Sequence, residues 1–136
     1  MTVYFIDSNV FFYAKMFDRE YGAVCAKILD RIAKGKLEAA TSTLVVIELA
    51  NALRKYGLSD EVKDVVDAVF SLDIRVFDVD SLSVRNAVGI FDKFRISPYD
   101  CVHVAVMKEA GIDNVISADK DFDNVGWIKR LDPKDV

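Results

Sequence analysis

Short runs of β-forming residues alternate with helical segments along the chain, which predicts an α/β fold. The expected architecture has three layers, with a central, mainly parallel sheet of four to five strands flanked by helices and joined by right-handed crossovers. Two observations carry this. Apolar runs such as Val3–Ile6 have strand length and stop at a polar residue, while longer segments between them show helical periodicity. Serine or Ser-Pro precedes several of those periodic stretches and glycine follows them, the usual marks of helix starts and stops.

Val3–Ile6 reads as a buried strand ending at Asp7, after which Ser8 is expected to cap a helix over residues 9–17. A second helix over 21–34 stops at Gly35, and residues 37–41 give a second strand. Ser42 or Thr43 caps the next helix, which runs to Tyr56 and stops at Gly57. Ser59, followed by Asp60 and Glu61 to complement the helix dipole, starts a helix carrying Val62, Val65, Val66, Val69 and Phe70. Residues 74–79 form a third strand and 81–94 a helix, and Ser97 with Pro98 opens a helix that stops at Gly111. Residues 114–117 supply a fourth strand and 127–131 a fifth.

With 136 residues, the chain is expected to form one domain over 1–136, long enough to bury a core without disulfide or zinc staples. Aliphatic and aromatic residues make up 52% and charged residues 29%, with two prolines and six glycines, so no low-complexity linker or repeat stands out. Cys25 and Cys101 form no CxxC pair, and no secretory leader or span of membrane length is evident, which fits a reducing cytoplasm and no membrane partner. The net charge of −4 does not exclude an RNA partner, because four clustered acids would account for all of it and a bound cation would offset part. Lys15, Arg19, Lys27, Arg31, Lys34 and Lys36 make the N-terminal region more basic.

Four acids stand out by position: Asp7 ending YFID, Glu48 inside LVVIELANAL, Asp100 in SPYD and Asp119 in ISADKDF. Gathered by one fold, they would repel each other unless a divalent cation neutralised them, so Mg²⁺ or Mn²⁺ is the expected cofactor. Ligands of parallel α/β sheets collect at the carboxyl ends of strands, and both Asp7 and Asp119 follow strands there. Glu48 interrupts an apolar run, where burial of a charge is costly. Helical spacing sets Leu44, Glu48, Asn51 and Lys55 on one side and Val45, Leu49, Ala52 and Tyr56 on an apolar stripe, which leaves open an exposed Glu48 on a polar face.

Asp100 has an ordinary explanation too, as the acid of an S-x-x-D capping box begun by Ser97. Ser8 and Asn9 are candidates to orient the Asp7 carboxylate, and Ser117 closes the fourth strand beside Asp119. Asp121 either caps the Phe122 turn or lends charge to a second cation. His103, the one histidine, reads as a packed residue rather than a catalyst; its isolation excludes a two-histidine ribonuclease mechanism and a His-rich zinc site.

In order, FIDSN, TSTLVVIELANALRK, SPYDCVHVAVMKEAG and VISADKDFDNV resemble the PIN domain family, most closely its small VapC-like toxin ribonucleases. The resemblance spans essentially the whole chain, with Ser117 standing where threonine is frequent. It implies a sheet in which strands one and four are neighbours, and an endoribonuclease dependent on Mg²⁺ or Mn²⁺. Asp7, Glu48, Asp100 and Asp119 match its acids in order, with Asp7, Asp100 and Asp119 as principal metal ligands and Glu48 ligating directly or through water. It further implies a homodimer and, for the toxin of a type II toxin–antitoxin pair, a cognate antitoxin that blocks the acidic cleft.

Two other classes share parts of this pattern. A phospho-receiver domain or an aspartyl phosphatase also holds Mg²⁺ at strand ends, but each wants a further acid where Ser8 and Asn9 stand. A non-catalytic PIN-like module that binds RNA or protein would not need all four acids.

Overall fold

A computed structural model describes residues 2–136. Five strands form one sheet: β1 (Val3–Ile6), β2 (Glu38–Ser42), β3 (Arg75–Phe77), β4 (Asn114–Ile116) and β5 (Lys129–Leu131). Their order is β3-β2-β1-β4-β5, and every pairing is parallel. Six helices flank the sheet: α1 (Ser8–Met16), α2 (Gly22–Ala33), α3 (Thr43–Lys55), α4 (Val62–Ser71), α5 (Ser81–Phe94) and α6 (Pro98–Ala110).

Burial explains the strand sequences. Phe5 and Ile6 of β1 and Val115 and Ile116 of β4 are fully buried at the sheet centre, as near-continuous apolar runs in parallel sheets require. The outer strands carry Arg75, Lys129 and Arg130, charges that discourage further strand addition at the edges. From β1 the chain builds outward through β2 and β3, then returns to pair β4 against the other side of β1. The order reverses between β1 and β4, which makes that boundary the topological switch point.

Several boundaries differ from the sequence reading. Asp7, not Ser8, is the N-cap of α1, because its carboxylate accepts the Ser8 amide hydrogen at 2.8 Å. Ser42 both closes β2 and caps α3, its hydroxyl accepting from the Val45 amide at 3.2 Å. The helix expected at Ser59 opens as a 3-10 turn, Ser59–Glu61, and becomes α-helical at Val62 without a side-chain cap; the turn is closed by the Leu58 carbonyl instead. β3 is shorter than residues 74–79 and β5 shorter than 127–131.

The apolar stripe of α3 is also displaced. Val45, Val46, Leu49 and Leu53 are the buried positions, while Tyr56 is 65% exposed. A spacing of four from Val45 through Leu49 leads to Leu53, which turns the Ala52–Tyr56 edge toward the surface. Cys25 and Cys101 are free and buried, and among the described residues no helix is long and apolar enough to cross a membrane.

One buried hydroxyl steadies the end of β1. Thr41 Oγ1 donates to the Ile6 carbonyl at 2.9 Å, one residue before Asp7. Thr41→Val keeps the shape and removes the bond; it is expected to lower stability by about 1 kcal/mol. Urea denaturation checks this as a lower midpoint at unchanged slope.

Candidate active site

β1 delivers Asp7 to the carboxyl edge of the sheet, where the residue is only 4% exposed. In the β1–β4 register Ile6 lies opposite Ile116, so Asp7 and Ser117 leave the sheet side by side. The Ser117 hydroxyl donates to Asp7 Oδ2 at 2.6 Å, and Asn9 Nδ2 donates to the same oxygen at 3.1 Å and to Ser117 Oγ at 3.0 Å. Asn9 Oδ1 accepts the Ala118 amide at 3.2 Å, and Ser117 Oγ accepts the Asp119 amide at 3.0 Å. Ser8, Asn9 and Ser117 thus clamp the start of α1 to the loop after β4 and hold Asp7 in one orientation.

Beyond that loop Asp119, not Asp121, caps the following 3-10 turn, Lys120–Asn124, by accepting the Asp121 amide at 2.9 Å. The physical reason is the turn of the chain at Ser117, which leaves Asp119 extended and pointing its carboxylate over the next amides. The side chain of Asp121 instead joins Asp100 and Asp119, with one oxygen of each lying within 4.8 Å of the others.

Asp100 does not close the expected capping box. Ser97 Oγ accepts from the Tyr99 amide at 3.2 Å, while the Asp100 carboxyl hydrogen-bonds Asp119. Asp100 is pushed up to about 9 from an ordinary carboxylate value. Burial is the main cause; the bond to Asp119 and the negative charges of Asp7, Asp119 and Glu48 follow. Asp7 is also raised, chiefly by burial, against the lowering influence of His103, the Ser117 hydroxyl and the Ser8 amide.

Glu48 is neither solvated nor fully enclosed, with its side chain 24% exposed. Its Oε1 lies 2.5 Å from His103 Nε2, and the same nitrogen is 3.9 Å from Asp7 Oδ1. His103 is fully buried on α6, its ring centroid 5.8 Å from that of Phe5. At that distance a hydrogen lies between Nε2 and Oε1, and Nδ1 is buried without a partner. The sequence reading of His103 as packed is right about its burial and misses its pairing with Glu48. The available signal was its position three residues after Asp100, on the same face of α6.

The structure therefore brings Asp7, Glu48, Asp100 and Asp119 within each other's electrostatic reach, with Ser8, Asn9, Ser117 and Asp121 around them. Two groups of potential ligand atoms result: Asp7, Glu48 and His103, and Asp100, Asp119 and Asp121. The donor set fits a hard divalent cation, since it is dominated by carboxylate oxygens, and the buried Asp7 and Asp100 are both raised from the ordinary carboxylate value.

The sequence profile of the PIN domain matches residues 4–128. The chain belongs to the PIN domain family. Among curated proteins, VapC ribonuclease Mb1869c of Mycobacterium bovis and ribonuclease VapC13 of Mycobacterium tuberculosis are each 23% identical over 127 residues, covering 93% of this chain and 97% of the relative. Among solved structures, this PIN domain is similar to the sarcin-ricin loop cleaving toxin VapC20 of Mycobacterium tuberculosis, with a TM-score of 0.77 at 18% identity over 94% of this chain and 98% of the other. It is also similar to VapBC2 of Rickettsia felis bound to a promoter DNA fragment, with a TM-score of 0.72 at 14% identity over 96% and 98%.

The raised carboxyls set a pH dependence of definite sign. Asp100 binds its proton more tightly folded than unfolded, so between about pH 4 and about 9 the folded state holds more protons and stability falls as pH rises. Thermal melts in EDTA are expected to show that decline, Asp100→Asn to flatten it, and excess Mg²⁺ to offset it by binding the ionised form. An identical slope for the parent protein and Asp100→Asn contradicts the assignment.

Proposed function

We propose that this PIN domain is a divalent-cation-dependent endoribonuclease, using Mg²⁺ or Mn²⁺, and acts in the cytoplasm as the toxin of a toxin–antitoxin pair. The observation that carries the reading is the convergence of Asp7, Glu48, Asp100 and Asp119 at one sheet edge. The curated relatives named as VapC ribonucleases support the reaction class. Neighbours solved as toxin–antitoxin complexes, one of them from Klebsiella pneumoniae, support a cognate antitoxin as partner. Homodimerisation belongs to the same proposal.

Asp7, Asp100 and Asp119 would hold the cation, with Glu48 as a further ligand. A bound divalent cation supplies positive charge beside the phosphate oxygens and makes water a stronger acid at neutral pH. The protein contributes fixed orientation. Ser117, Asn9 and the Ser8 amide occupy lone pairs of Asp7, and His103 Nε2 anchors Glu48, so neither carboxylate must reorganise when RNA arrives. Asp100 would give up its proton to hold the cation, which would balance its charge.

Incubation of single-stranded and structured RNAs with Mg²⁺ or Mn²⁺ tests the reading. The parent protein is expected to cut RNA internally and to stop in EDTA. Asp7→Asn, which preserves the α1 cap, and Asp100→Asn are expected to lose at least about 100-fold in rate. Cleavage at equal rates by all three proteins would overturn the assignment. His103→Asn is expected to lower kcat by about 10- to 100-fold with little change in KM, as loss of a group that positions a ligand does; an unchanged kcat removes His103 from the site.

A further inference from the structure

Beside the carboxylates lies a groove of about 510 Å³, most of whose lining the cation chemistry does not use. It runs along the exposed edge of α3, begins at Ser8 and Glu48, and is also lined by Tyr99 at the start of α6. Glu48 and Lys55, both in its lining, are separated by about 10 Å of helix axis.

The lining has the chemistry of a nucleotide. Tyr99 is 59% exposed, immediately precedes Asp100 and lines the groove together with Glu48. Tyr56, at 65% exposure, closes the other end, and the Phe12 ring steadies it from one side at 5.1 Å and a tilt of 59°. Asn51 Oδ1 is taken by the Arg54 guanidinium, at 3.2 Å from Nε and 2.9 Å from Nη2, which leaves the Asn51 NH₂ as a donor toward the groove. Lys55 is exposed, lines the groove and has no acidic partner within 4.0 Å among the described residues. Large aromatic faces are costly to leave in water, and an unpaired ammonium next to them suits an anion that carries a flat apolar group.

We propose that this groove is a base-stacking subsite for the single-stranded RNA nucleotide next to the scissile phosphate, with its base against Tyr99 and Tyr56 and its phosphate on Lys55. The inference rests on the ribonuclease reading, because the groove shares Glu48 and Ser8 with the acidic site and the two would hold adjacent parts of one strand. Tyr99 and Tyr56 then set which base is preferred beside the cut, and Asn51 supplies a hydrogen bond to its edge.

The test is binding of a fluorescein-labelled single-stranded RNA octamer, and of the same octamer with one abasic nucleotide at each position in turn, to Asp100→Asn protein with Mg²⁺. Tyr99→Ala and Tyr56→Ala added to that background are expected to weaken binding about tenfold each, and Tyr99→Phe to restore it. One abasic position is expected to cancel the Tyr99→Ala effect, which a merely structural loss would not do. Lys55→Ala is expected to reduce the salt slope by about one. Unchanged melting temperatures exclude unfolding as the cause, as the exposure of both tyrosines leads one to expect. Full-strength binding by both alanine variants overturns the subsite while leaving the ribonuclease reading intact. So does a parent dimer that both variants convert to monomer, which assigns the groove to a second copy of the chain. If the Asp100→Asn protein binds no RNA and the parent cleaves none, the ribonuclease reading itself fails and this inference with it.

Discussion

Parallel pairing of β1 with β4, in the register that sets Ile6 opposite Ile116, is the constraint on which the rest of the site depends. It makes Asp7 and Ser117 leave the sheet together, and from that adjacency follow the Ser117–Asp7 bond, the Asn9 bridge and the placing of Asp119. A slip of one residue would exchange the faces of β4 and carry Ser117 away from Asp7. The buried side chains of Val115 and Ile116 resist that slip, so apolar packing in the sheet centre is what keeps the acids in register.

The fold gathers these acids against their own electrostatics. Burial raises Asp7 and Asp100, and Asp119 beside Asp100 raises it further. Asp7 also caps α1 and ties it to the loop after β4, but an apolar side chain at Asp100 would avoid the desolvation cost, as replacements of buried charges by hydrophobic groups often do. Strain of this kind is informative about function because perturbed carboxyls cluster at functional sites. The buried, unpaired Nδ1 of His103 is a second instance, since the ring is held by Glu48 on one side and left unsatisfied on the other.

The strands and helices were readable because their signals are local. Val3–Ile6 and the cap at Ser42 depend on neighbours within a few residues, and both occur where periodicity and capping predict. Asp7 and Asp119 were readable for a topological reason, as strand-end acids in a parallel sheet, and Glu48 because it breaks an apolar run. What the sequence did not reveal depends on contacts distant in the chain. The pairing of His103 with Glu48 spans 55 residues, and no spacing rule connects α3 to α6. The phase of α3 was misjudged because Leu53 and Tyr56 are both apolar enough to serve as its last core position, and only packing selects Leu53. The S-x-x-D pattern at Ser97 misled for a similar reason: Asp119, arriving from another loop, competes with the Ser97 amide for the Asp100 carboxyl.

The account stands or falls on whether the acids exist to hold a cation, and calorimetry of Mg²⁺ or Mn²⁺ binding in buffers of different ionisation enthalpy addresses that directly. At pH 7 Asp100, raised to about 9, is protonated before the metal arrives. Binding is expected to release about one proton per protein, and Asp100→Asn to abolish most of that release. Saturation with no proton released, or no binding at millimolar metal, would contradict a cation-neutralised acidic site.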